Sequence, residues 1–159
     1  MQKTNAARLL DRAKISYELI PYEFDPEDLA AQHVADSLGE DINRVFKTLV
    51  LHGAEPRDYF VCIVPGNTEI DLKKAAKVHS TKKADLIPTK ELLPLTGYIR
   101  GGCTAIGMKK PFPVYIHQSA LDFDSIYVSA GQRGLQLRLA PADLISYVNA
   151  TVADLTQSP

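Results

Sequence analysis

Residues 44–53 read R-V-F-K-T-L-V-L-H-G, and the reading of this stretch decides the fold built around it. Val45, Phe46, Thr48, Leu49, Val50 and Leu51 are the β-branched, aromatic and aliphatic types that suit a strand covered on both faces. Strand side chains alternate, so Lys47 shares a face with Val45, Leu49 and Leu51. An ammonium group on such a face has two explanations. Its stem packs at a sheet edge while the amine reaches water, or the amine is aimed into a cleft. Desolvation lowers a lysine pKa and an anion opposes that shift, so a cleft-facing lysine suits a ligand that brings negative charge.

Upstream, Thr4 is a helix cap followed by Ala7, Leu9, Leu10 and Ala13 at near-helical spacing. Residues 15–21 alternate as a strand. Asp25-Pro26-Glu27-Asp28 predicts a helix start with proline in the first turn, continuing through Leu29, Val34 and Leu38 to Gly39. Downstream, a polar loop at 53–58 separates the lysine-bearing strand from a second one at 59–64, which predicts a hairpin. Asp71 caps a basic helix running through Val78, with Lys73, Lys74 and Lys77 expected to be exposed. A helical turn or two is expected from Thr89 through Leu93, strands at 114–117, 126–129 and 135–139, and a helix from Pro141 to near Val148. No linker or repeat interrupts residues 1–159, so the expectation is one α+β domain. Its mixed, curled β-sheet would carry flanking helices, in a strand order that the sequence leaves open.

The chain of 159 residues is 45% hydrophobic and 23% charged, the composition of an ordinary globular domain. No apolar run approaches the ~18 residues of a membrane span, and the amino terminus is too polar for a signal peptide. Two cysteines, Cys62 and Cys103, make no disulfide framework, so a cytoplasmic setting is expected. The net charge of -1 hides an uneven distribution. Residues 15–43 carry eight acidic side chains and no Lys or Arg, whereas residues 73–110 carry nine basic ones against Asp85 and Glu91. The second segment offers a positive surface for phosphates, since local field matters more than total charge.

Several chemistries lack their residues. G-x-S-x-G, C-x-x-C, H-E-x-x-H, a Walker loop and a dinucleotide fingerprint do not occur, and His33, His52, His79 and His117 are scattered singly. Neither a metal nor a cofactor is expected. Cys103 would need a base or a lowered pKa to act as a nucleophile, and its alternative is a small residue filling a turn. Cys62 reads as core. What remains is G-Y-I-R-G-G-C-T-A-I-G-M-K-K at 97–110, where Gly101, Gly102 and Gly107 allow positive φ and close approach of a ligand to backbone amides. Such amides can bind an anion or a developing oxyanion. A turn between strands is the plainer reading. S-A-G-Q-R-G-L-Q at 129–136 carries a second glycine pair.

In this order, K-T-N-A-A-R-L-L-D, P-Y-E-F-D-P, V-F-K-T-L-V, D-L-K-K-A-A-K, the 97–110 loop and I-Y-V-S-A-G-Q-R-G-L-Q-L resemble the bacterial YbaK/EbsC family along nearly the whole chain. The resemblance implies a mixed-sheet fold shared with the editing domain of prolyl-tRNA synthetases. It also implies hydrolytic trans-editing of a mischarged tRNA at its acceptor 3′ end, most often Cys-tRNA(Pro). By the same resemblance Lys47 is indispensable and Gly102 lines the pocket. The amides around Gly101 and Gly102 are candidate oxyanion donors through the freedom of the two glycines, which makes Lys47, Gly101 and Gly102 the catalytic candidates. Tyr22, Thr48, Cys103, Thr104, Ser129 and Gln136 belong to the substrate pocket, and prolyl-tRNA synthetase is an expected partner. The chain departs from the family at Ala105, where proline is usual, and at Gln136, where deacylases often carry aspartate. The alternatives are a deacylase for Ala-tRNA(Pro) or another small amino acid, and a tRNA- or nucleotide-binding module without turnover.

Overall fold

A computed structural model describes residues 2–157. Helix α1 (Asn5–Arg12) begins where Thr4 Oγ1 accepts from the Ala7 N–H, and it buries Ala6, Ala7 and Leu10. Strand β1 (Glu18–Pro21) follows. The helix expected to start at Asp25 begins later, as α2 (Ala31–Leu38), with Gly39 closing it in the left-handed conformation. The Asp25 and Asp28 carboxylates explain the delay. They accept from the Glu27 and Ala30 N–H groups, and this local bonding competes with a helical turn.

Strands β2 (Phe46–His52) and β3 (Tyr59–Pro65) form the expected antiparallel hairpin, with Lys47 opposite Val64. Helix α3 (Leu72–Val78) is capped by the Asp71 carboxylate, which accepts from the Lys73 and Lys74 N–H groups. Then come β4 (Asp85–Leu86), α4 (Thr89–Thr96), β5 (Val114–His117), β6 (Ile126–Ser129), β7 (Leu135–Leu139), α5 (Pro141–Val148) and β8 (Thr151–Ala153). Strands β4 and β8 are too short to leave an alternating pattern in the sequence.

The expected α+β fold with a mixed sheet stands, its strands divided between two ladders. The order β4-β2-β3-β5-β8 makes a five-stranded mixed sheet, antiparallel around β2 and parallel from β3 to β8. The order β1-β7-β6 makes a three-stranded antiparallel sheet. They meet where Val45, just ahead of β2, bridges Tyr127 of β6. The main core lies between them, with Phe46, Val50, Val61 and Ile63 against Ile126, Val128, Leu135 and Leu137, and with α1 and α5 closing its edges. On the other face of the large sheet, Leu51, Phe60, Cys62 and Val64 pack on Ala75 and Ala76 of α3 and on Leu155. A third cluster ties Val34 and Ala35 of α2 to Val45 and Tyr127 at the junction of the sheets. That junction positions the site.

Candidate active site

A cleft of about 390 Å³ opens beside this junction. One wall is the first half of β2, Phe46 through Leu49; the start of α2, Leu29 through Ala31, makes another. Arg100, Gly101 and Cys103 approach from the glycine loop, and Ser129 and Gln136 complete the lining. Ser129 ends β6 and faces Gln136 of β7 in register, which is why two residues seven apart enter one site.

Close backbone contacts let the walls meet. A Cβ on Gly66 would stand 2.2 Å from Ala31 Cβ, so glycine is needed where the end of β3 passes the start of α2. Its N–H donates to the Val45 carbonyl at 2.7 Å, extending the hairpin. A Cβ on Gly102 would stand 2.9 Å from the Gln132 Cα, which presses the glycine loop against the turn after β6. Gly101 has φ +87 at the third position of a turn closed by the Gly102 N–H donating to the Ile99 carbonyl.

Lys47 lies half-buried in this cleft, with Nζ donating to the Thr68 carbonyl at 2.8 Å. Burial pulls its pKa below the ordinary lysine value, and the charge of Glu69 opposes that pull. No carboxylate pairs with Nζ among the described residues. The site is therefore short of one negative charge, which an anionic ligand would supply. Further positive potential comes from α2. Its cap residue Ala30 has no side chain to bond the helix amides, and the Ala31 and Gln32 N–H groups find no partner among the described residues. Gln136 is buried, and its Oε1 has no hydrogen-bond partner among the described residues. An acceptor left open in this way suits a donor carried by a ligand.

The sequence-expected residues divide into two groups. Lys47, Thr48, Gly101, Cys103, Ser129 and Gln136 line the cleft. Tyr22 packs half-buried on the Val34, Ala35, Val45 and Tyr127 cluster behind the wall. Thr104 is buried with Oγ1 accepting from the Ile106 N–H, so it shapes the loop. Gly102 corrects the expectation of an oxyanion donor, because its N–H is already committed to Ile99. The loop amides left without a partner among the described residues include those of Gly101 and Cys103. Burial pushes the Cys103 thiol up to about 12, so it stays protonated at neutral pH and is a poor nucleophile. Among the described residues no three His, Cys, Asp or Glu side chains gather as metal ligands, and no helix is long and apolar enough to cross a membrane.

Sequence reasoning missed Gly66, Arg100 and the start of α2. Pro65-Gly66 is a turn-type pair, but the approach of α2 is a long-range event without a local mark.

Residues 25–147 match the aminoacyl-tRNA editing domain family. The chain belongs to that family. It is 44% identical over 155 residues to EbsC of Enterococcus faecalis, provisionally named a Cys-tRNA(Pro)/Cys-tRNA(Cys) deacylase, covering 98% of this chain and 94% of the relative. The fold is also that of the hypothetical protein APE2540, with a TM-score of 0.88 at 18% identity over 97% of this chain and 100% of the other. A protein provisionally described as a trans-editing enzyme for prolyl tRNA synthetase superposes with a TM-score of 0.81 at 22% identity, over 99% of this chain and 100% of the other. The matched residues thus include every wall of the cleft and all strands but β1 and β8.

Proposed function

We propose that this chain, working as one unit over residues 1–159, is a trans-editing deacylase that releases cysteine from Cys-tRNA(Pro). The observation that carries the reading is the meeting of Lys47 with the Gly101–Cys103 turn in one cleft, opposite the start of α2. An aminoacyl ester is already activated, so the protein supplies alignment and charge. Amides of Gly101 and Cys103 are the donors for the oxyanion that forms when the ester carbonyl is attacked, each worth about 3 kcal/mol. Lys47 adds positive potential beside it and holds the phosphate or ribose of the terminal adenosine. Gln136 Oε1 accepts from the substrate's ammonium.

The attacking group comes from the substrate. Its thiol sulfur bonds to its own acyl carbon, the ester C–O bond breaks, and the thiol proton ends on the released ribose hydroxyl, leaving a cyclic thiolactone. Intramolecular attack gains the effective concentration that a protein nucleophile would otherwise provide. The high thiol pKa of Cys103 supports this division of labour, since the protein's own sulfur stays protonated. The substrate belongs to the cytoplasm, where prolyl-tRNA synthetase is the partner that selects the tRNA.

Turnover against a panel of mischarged tRNAs tests the reading, with and without the synthetase. Cysteine release that generates a thiolactone is the expected result. Release of alanine in preference to cysteine would replace the substrate, and binding without release of any amino acid would remove the enzyme.

A further inference from the structure

Outside the cleft, two arginines from separate loops are held together. Arg133 Nε donates to the Arg100 carbonyl at 2.8 Å, and a Cβ on Gly101 would stand 3.3 Å from Arg133 Cγ. Arg100 is exposed and lines the cleft mouth. Neither guanidinium pairs with a carboxylate among the described residues, whereas Arg44 and Arg138 both do. Among the described residues only one Arg133 donor is used, so both terminal nitrogens stay available. Two unpaired guanidiniums carried by touching loops favour an anionic partner.

The surroundings narrow the partner. Phe24 is 43% exposed and Ile99 45% exposed. A Cβ on Gly134, the residue after Arg133, would stand 3.0 Å from Phe24 Cδ1. Leu29 Cδ2 would lie 3.1 Å from a Cβ on Gly101. Uncompensated guanidiniums beside an exposed aromatic ring are the pattern that binds single-stranded nucleic acid, with phosphates on the cations and a base on the ring.

We infer that Arg100, Arg133 and Phe24 form a seat for the unpaired 3′ tail of the tRNA, its phosphates on the two arginines and a base on Phe24, directly outside the cleft. The inference rests on the deacylase reading for the identity of the nucleic acid. Its test is binding alone, so an inactive protein would sink that reading without touching this one.

The experiment titrates an uncharged tRNA, and the same tRNA trimmed of its unpaired tail, across a salt series. Arg100→Ala/Arg133→Gln is expected to weaken binding of the intact tRNA about tenfold at 0.1 M salt and to lower the log–log salt slope by about 1.4, two single-strand phosphate contacts. Phe24→Ala is expected to weaken it at least about fivefold with the slope unchanged. The trimmed tRNA should bind wild type and variants alike. Arg100→Ala, whose guanidinium has no partner in the fold, repeats half of the slope change if the double variant misfolds. An unaltered slope in the arginine variants, or equal weakening for the trimmed tRNA, overturns the assignment.

Discussion

Lys47 and Lys74 are both half-buried and receive opposite treatment. Lys74, behind the large sheet, donates to the Asp154 carboxylate at 2.9 Å and to the Thr156 carbonyl at 2.8 Å. Lys47, in the cleft, has a single carbonyl for company. The contrast extends to their neighbours. Behind the sheet, His79 is held by Asp58 at 2.7 Å and by the Tyr115 hydroxyl at 2.8 Å. In the cleft, Gln136 Oε1 and two loop amides stay open. Buried polar groups cost stability unless paired. Lys74 and His79 follow that rule for stability, and Gln136 in the cleft suspends it for a ligand.

The largest expected effect tests that contrast. On the proposed mechanism, Lys47→Ala should lower deacylation on the order of a thousandfold, through loss of the positive charge that it brings to the oxyanion. Its thermal midpoint should stay close to wild type, since the side chain it loses was an incompletely compensated charge. Lys74→Ala should do the reverse, keeping turnover within twofold while lowering the midpoint. Equal turnover losses in the two variants would erase the distinction. Next in size is Gly102→Ala, whose Cβ would press on the backbone at Gln132 and Arg133. A loss of about 1–3 kcal/mol in denaturant unfolding is expected from overpacking. Deacylation should fall roughly tenfold to a hundredfold as the adjoining donors shift. Unchanged turnover would detach the loop geometry from the chemistry.

Gln136→Leu reverses the usual direction of a stability change. The buried, unpartnered Oε1 is removed, so the free protein should gain about 1 kcal/mol in chemical unfolding. Release should drop about tenfold, through the loss of an acceptor for the substrate. A destabilised variant would mean that this oxygen is satisfied in solution.

The same division explains what the sequence disclosed. Strands β3, β5 and β6 were legible as apolar runs, β2 as such a run interrupted by Lys47, and β7 by the alternation of Leu135, Leu137 and Leu139 with Gln136 and Arg138. The caps at Thr4, Asp71 and Gly39 were legible because capping is local. The start of α2 was misread because Asp25 and Asp28 each satisfy a nearby amide. Lys47 stood out by breaking its strand's pattern, and the 97–110 loop by its glycines. Lys74, expected to be exposed, is half-buried through a contact with Asp154 across the fold. The commitment of the Gly102 amide to Ile99 likewise depends on which way one turn folds. Pairings across the fold leave no period, so the open and the closed polar groups could not be told apart.

Acid provides the gentlest probe, and it touches the rear alone. His117 is buried, and its Nδ1 accepts from the Leu155 N–H at 3.1 Å, so the ring is neutral there. Burial draws its pKa below 6.5; Asp154 and Asp122 oppose that pull, and Lys74 adds to it. The unfolded chain therefore takes up a proton at higher pH than the folded one. The stability His117 contributes is whole above about pH 6.5 and declines as pH falls through its lower folded value. The thermal midpoint should hold above pH 7 and slide below pH 6, with exchange of the Leu155 amide rising first. His117→Asn keeps an acceptor near Nδ1 without titrating, and should flatten this limb; an unchanged acid slope would move the effect to another group. No histidine lines the cleft. His117→Asn should accordingly release at the wild-type rate per folded molecule at each pH of the same interval, because the ring that it removes lies outside the cleft.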